Sequence, residues 1–272
     1  MAFTIGGAVL LVVVMLDILL TMVGANQSSP IAMRVGKVAF DLFKMLPLGA
    51  FKHRLMGPAV MTVVASYWVA ALALAWSLIF FGSDAAIDFQ MEERGSGPLD
   101  ILAHVGHLLS TVGGGVSRPE STSAALMGVL IGVNGMVVLT LSVSFVLGTT
   151  NTVVTGRQLF VSLDIADDAD RIGDRAFLDK LIGFLVALNA SPMALYFSHE
   201  DEEFRIPKRL ATLLQMIAED SPDTARTLAG LLPGLKAGPA ASLRARLDDW
   251  ARRYAPAPGL LRGAASPERD GG

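Results

Sequence analysis

From Ala124 to Gly148 the chain runs 25 residues without a charged side chain. A stretch that long and that apolar has one economical use for its backbone polar groups, a helix across a hydrocarbon layer about 30 Å thick. Two more stretches read the same way. Ile5 to Val23 is 19 residues with one charge, Asp17, and Ala59 to Phe81 is 23 uncharged residues that include Tyr67, Trp68 and Trp76. Met1 to Thr4 carries no Lys or Arg and an acid interrupts the first apolar run, so a retained span is expected there rather than a cleaved leader. The composition agrees: 52 % of the 272 residues are hydrophobic, and the mean hydropathy of +0.52 lies above the soluble norm.

Between the second and third runs lies a different kind of segment. Leu99 to Ser110 is 12 residues, too short to cross, and Thr111-Val112-Gly113-Gly114-Gly115-Val116-Ser117-Arg118-Pro119 follows it. Neither phosphate-loop glycine pattern is present. On its own, the glycine run reads equally as a flexible connection between two hydrophobic helices.

In its setting the turn resembles the Thr-Val-Gly-Tyr-Gly filter of the potassium-channel pore-domain family. Pro119 falls four positions after Gly115, as in that family's Gly-x-Gly-Asp-x-x-Pro pattern, and Gly135 falls twenty positions after it, where the inner helix carries its hinge glycine. Asp17-Ile18-Leu19-Leu20-Thr21 also resembles the end of the first span in bacterial ion-channel-domain proteins. The resemblance implies an all-α membrane protein: three transmembrane helices, a re-entrant pore helix with its filter loop, and a small helical cytoplasmic domain. It implies Thr111, Val112, Gly113, Gly114 and Gly115 as the selectivity filter, His107 and Pro119 as its support, and Gly135 as the inner-helix hinge. The assembly would be a homotetramer, because one chain supplies one quarter of a carbonyl ring. Its ligand would be a permeating monovalent cation, potassium in the family, with no cofactor and no enzymatic activity.

Two departures weaken selectivity. The family's aromatic is Gly114 here, and its aspartate is Val116. The alternative is a nonconducting membrane sensor or scaffold that retains the pore fold.

The chain is expected to divide into a first transmembrane helix (1–24), a basic amphipathic connection (25–57), a pore module (58–148), a helical domain (157–255) and a disordered tail rich in Pro, Gly and charge (256–272). Residues 25–57 hold five Lys or Arg and residues 82–123 hold two. By the positive-inside rule the connection and the C-terminal domain are cytoplasmic and the N-terminus is outside. An Ala-, Gly- and Arg-rich chain without cysteine suggests a bacterial origin, and with three spans the expected location is the inner membrane. A net charge of −3 gives no pull toward nucleic acid, so the expected partners are further copies of the chain, the bilayer and monovalent cations.

Several residues carry two readings. Asp17 either packs inside the bundle or reaches the headgroups; on insertion scales a charged acid at mid-span costs about 2.5–3.5 kcal/mol. Val35, Val38, Ala39, Leu42 and Leu46 form an apolar face that suits either the membrane surface or the protein, with Pro47 ending the helix. His104 and His107 share a helix face but lack further ligands for a metal. His107 is a filter buttress, a proton sensor or an ordinary helix histidine. Gly128, Gly132 and Gly135 point to close packing or bending, and Asn134 to a water-filled cavity. The acidic residues of 82–98 either gather cations or are solvated, and those of 199–203 lack calcium-loop spacing. Farther on, Asp174 is expected to cap a helix whose face is Phe177, Leu178, Leu181, Ile182, Leu185 and Leu188. Leu243, Leu247, Trp250 and Tyr254 form the last apolar stripe.

Overall fold

The computed structural model describes residues 1–23, 29–49, 51–83, 87–89, 97–110, 112–113, 117–166, 174–236, 238–239 and 242–255. Three helices are long and apolar enough to cross a membrane: α1 (Ala2–Val23), α3 (Phe51–Phe81) and α5 (Thr122–Ala166). α1 lies along α3 through close backbone approaches. A Cβ on Gly7 would collide with the Ala75 carbonyl and Ile79, and one on Gly82 with Thr4. The two helices are therefore antiparallel neighbours.

α2 (Pro30–Met45) starts at a Ser29 cap, with Pro30 in the first turn where no N–H is needed. It runs back along α3. Its start shares a partner with Trp68, and near its end the Lys44 carbonyl accepts from Lys52. It packs on the protein through small residues, and most of its apolar face stays outside that contact. Ala32, Gly36, Ala39 and Phe40 are buried, whereas Val38, Leu42 and Leu46 are exposed. Small residues decide this, because Ala32 and Gly36 let α2 approach its neighbours closely.

The boundary expected at 57/58 falls inside α3, which begins at Phe51 and carries Pro58 within it. An exposed proline there removes one helical N–H without ending the helix. The boundaries at 148 and 157 likewise fall inside α5. This helix is 45 residues, about 67 Å long and more than twice the hydrocarbon thickness. The sequence turns polar after Gly148, but nothing there breaks a helix.

Between α3 and α5 come β1 (Ile87–Phe89), α4 (Pro98–Leu109) and β2 (Ser117–Pro119). The antiparallel β1–β2 ribbon is the one departure from an all-helical chain among the described residues.

The C-terminal helices α6 (Arg175–Ala190), α7 (Ile206–Asp220), α8 (Pro222–Ala229) and α9 (Leu243–Arg253) pack around the end of α5. Asp174 caps α6 by accepting from the Ala176 N–H at 3.3 Å. Phe177, Leu181, Leu185 and Leu188 are buried as expected, and Phe184 joins them, while Ile182 faces outward. The core is completed by Leu210 and Leu214 of α7, Leu247 and Trp250 of α9, and Phe160 of α5.

This C-terminal unit also touches the other helices. A turn at Pro192–Tyr196 and Phe197 lies in notches left by glycines: a Cβ on Gly36 would strike Met193, and one on Gly57 the Phe197 ring. Tyr196 packs on Phe40 with ring centroids 4.8 Å apart and on Tyr254 at 5.7 Å, and His53 Nδ1 lies 2.9 Å from Ser198 Oγ. Burial pushes the Tyr196 and Tyr254 phenols above their ordinary range, so both stay neutral.

Candidate functional site

A two-stranded ribbon flanks α4 in the chain. The chain leaves α3 through β1 and enters α5 through β2, and these strands pair Ile87 with Pro119, Asp88 with Arg118 and Phe89 with Ser117. α4 begins at Pro98, its first turn fastened by the Asp100 carboxylate, which accepts from the Gly97 N–H at 3.0 Å. Its far end reaches Gly135, where a Cβ would overlap the Leu109 carbonyl and Cα. Gly135 stands 13 residues past Thr122, about 20 Å along α5.

The chain's return to α4 at Ser117 is pinned by His104. Its ring is buried, lies edge-on to Phe80 at 5.5 Å, and places Nδ1 2.6 Å from Ser117 Oγ. Of the two histidines on α4, it is thus His104 that touches the returning segment. His107, expected as the buttress, is exposed; its backbone carbonyl accepts from Ser110 Oγ at 2.9 Å. The buried side of α4 is Ile101, His104, Val105 and Leu109, and His107 lies off it.

The other expected residues are placed as follows. Val112 is exposed, and Gly113 has φ +88°, a left-handed conformation that favours glycine. Thr111, Gly114 and Gly115 lie outside the described residues. Pro119 sits in β2 opposite Ile87. Asn134 is half-buried, with no hydrogen bond to its amide among the described residues. Gly135 is a packing glycine within an unbroken helix, Gly128 makes ordinary contact with Leu108, and Gly148 faces open space. Beside Gly135, α3, α4 and α5 line an open apolar pocket of about 810 Å³ that includes Leu72, Gly106, Leu109, Val138 and Ser142.

Asp17 is the second organised site. It is 2 % exposed, and its carboxylate accepts from three donors: Trp68 Nε1 at 2.7 Å, the Ala32 N–H at 3.1 Å, and the Ser29 hydroxyl. Ser29 is also the α2 cap, accepting from the Ile31 N–H at 3.3 Å. An acid at a helix N-terminus meets the unpaired N–H groups and the positive end of the helix dipole. Asp17 thereby fastens α1, α2 and α3 at one point, and of its two readings the packed one holds. Trp68 and Ser29 were not singled out from sequence. An indole in the middle of a span, opposite an acid in another, was the available signal.

Among the described residues no three His, Asp or Glu side chains gather as a metal site. Comparison with known proteins gives no match to a family model, a curated protein or a solved structure.

Proposed function

We propose that four copies of this chain form a potassium-channel-like cation pore of weakened selectivity. Residues 111–115 line its axis, α5 is the inner helix, and the C-terminal helices modulate it. One observation carries the reading. A helix too short to cross packs its far end on Gly135, about 20 Å along α5, and His104–Ser117 and the β1–β2 ribbon hold the chain that flanks it. On this reading the carbonyls of the Thr-Val-Gly segment face the axis at mid-depth, where irregular backbone is tolerated against protein or a water-filled cavity. The uncovered apolar face of α5, with Leu126, Val129, Leu130, Val133, Met136 and Val137 exposed, leaves room for neighbouring copies. The turn at Pro192–Tyr196 ties the C-terminal helices to α2 and α3 while α5 runs into them, so a shift of that unit is felt at both the outer and the inner helices. The positive-inside count puts this unit in the cytoplasm.

Gly114 and Val116 favour a second reading, a nonconducting sensor or scaffold, because the usual restraints on a filter are missing. Purified protein decides between them. A fourfold mass in detergent and cation flux in liposomes, with weak potassium-over-sodium preference, is the expected result. A tetramer without flux selects the scaffold. A strict monomer or dimer ends the pore reading. Gly114→Tyr with Val116→Asp is expected to move reversal potentials toward potassium.

A further inference from the structure

α2 presents three faces. The first, Ala32, Gly36, Ala39 and Phe40, is buried. The second carries Lys37, Asp41 and Lys44, paired at 3.2 and 3.5 Å. The third, Val38, Leu42, Met45 and Leu46, is exposed, and with Val63 of α3 it walls an apolar groove of about 580 Å³. Arg34 stands on the rim of that groove. Its side chain is exposed and makes no hydrogen bond or ion pair among the described residues.

Arg34 has no anion beside it among the described residues, and local charge does not supply one. Asp41 is the one acid between residues 25 and 57, against five Lys or Arg. That acid is already shared by Lys37 and Lys44. The groove is also held in shape, since Asp17 fastens the start of α2 and Tyr196 packs against Phe40 near its end. An apolar groove with an exposed guanidinium in its lining complements an amphiphile with an anionic head.

We propose that this groove binds one acyl chain of an anionic phospholipid, from the leaflet on the α2 side, with its phosphate paired to Arg34. A guanidinium matches a phosphate through two parallel N–H donors, and a basic residue near the surface favours anionic lipid over zwitterionic. The proposal rests on the chain being a membrane protein and not on its being a pore. The lipid would bear directly on the helix that Asp17 and Tyr196 couple to the rest of the molecule.

The test is native mass spectrometry of the purified full chain with phosphatidylglycerol and phosphatidylcholine of the same acyl composition, supplied in equal amounts. The parent is expected to retain phosphatidylglycerol about five-fold over phosphatidylcholine, the ratio that one surface cation gives. Arg34→Gln should abolish that preference, and Arg34→Lys should keep part of it; both change an exposed side chain and leave the fold intact. Val38→Trp with Leu42→Trp should reduce retention of both lipids. Equal retention by the parent, or an unchanged preference in Arg34→Gln, overturns the proposal. If the tryptophan variant changes the number of copies and leaves lipid retention alone, the groove is a contact with a second copy and the proposal fails. None of these outcomes depends on ion flux.

Discussion

The Leu109 carbonyl occupies the space a side chain on residue 135 would need. The end of α4 and the middle of α5 are thus in backbone contact, and only glycine permits it. Bending is not required to explain this glycine, since α5 is continuous through it.

Gly135→Ala should therefore destabilise the α4–α5 contact by about 1–3 kcal/mol, the usual cost of overpacking. Gly148→Ala is the control, because nothing lies within 4 Å of its missing Cβ. There the substitution should stabilise by about 0.5–1 kcal/mol through helix propensity alone. Thermal unfolding in detergent measures both. A Gly135→Ala variant as stable as the parent would mean that α4 sits higher on α5 than described.

Asp17 offers a sharper test, because its three donors come from two other helices. Asp17→Leu leaves the Trp68 indole, the Ala32 N–H and the Ser29 hydroxyl without their acceptor, each at about 1–3 kcal/mol for an unsatisfied buried group. The expected result is loss of folded protein or a large fall in melting temperature. Asp17→Asn keeps one acceptor oxygen and should fall between the two. Trp68→Phe removes a single donor and should cost less than either. If Asp17→Leu melts like the parent, the carboxylate is not holding the helices together.

His104 and Ser117 should behave as a pair. His104→Phe and Ser117→Ala each break the 2.6 Å contact that pins the returning segment to α4. Combined, they should cost less than the sum of the two, a coupling of about 0.5–3 kcal/mol expected of residues in direct contact. The readout is a double-mutant cycle on unfolding, repeated on flux if the protein conducts. His107→Phe, on the exposed side, should be additive with Ser117→Ala.

The legible parts of this molecule were those written in long runs. Three apolar stretches marked three helices, and a 12-residue segment before the glycines marked α4. Asp174, Leu181, Leu188, Leu247 and Trp250 took their expected places because capping and helical spacing are local. The failures were tertiary. Spacing left the Val38 and Leu42 face open to membrane or protein; Ala32 and Gly36 made the closer fit to the protein, and no hydrophobic count rewards a glycine for letting a neighbour in. His104 and His107 lie one turn apart, and spacing did not show that His104 meets Ser117; Thr111, Gly114 and Gly115, which His107 was expected to support, lie outside the described residues. Asp17 was conspicuous, but its partners stand 12, 15 and 51 positions away. Composition changes near 57 and 148 looked like boundaries, whereas backbone hydrogen bonding carried the helices through them.

The last prediction concerns the joint between the C-terminal helices and α3. Phe197 lies in the notch of Gly57, and Met193 in that of Gly36, so two glycines on two helices receive one turn of chain. The rest of the C-terminal unit is anchored elsewhere, on α5, through Phe160 against Phe184 at 6.0 Å and an ion pair between Arg209 and Asp164. Filling the notch should therefore separate two functions of the unit. Gly57→Leu pushes the Phe197 ring out, and it should loosen the joint while the C-terminal core around Leu185 and Leu214 stays folded. Phe197→Ala empties the notch and should cost less than the about 3–5 kcal/mol of a fully buried phenylalanine, since Phe197 is half-buried. Hydrogen exchange distinguishes the outcomes: both variants should exchange faster across 192–198 and the start of α3, with α6 and α7 unchanged. If the unit modulates a pore, both should also alter flux without altering the number of copies. Faster exchange throughout α6 and α7 would mean that the notch holds the C-terminal core together, and that the joint is not a separate coupling point.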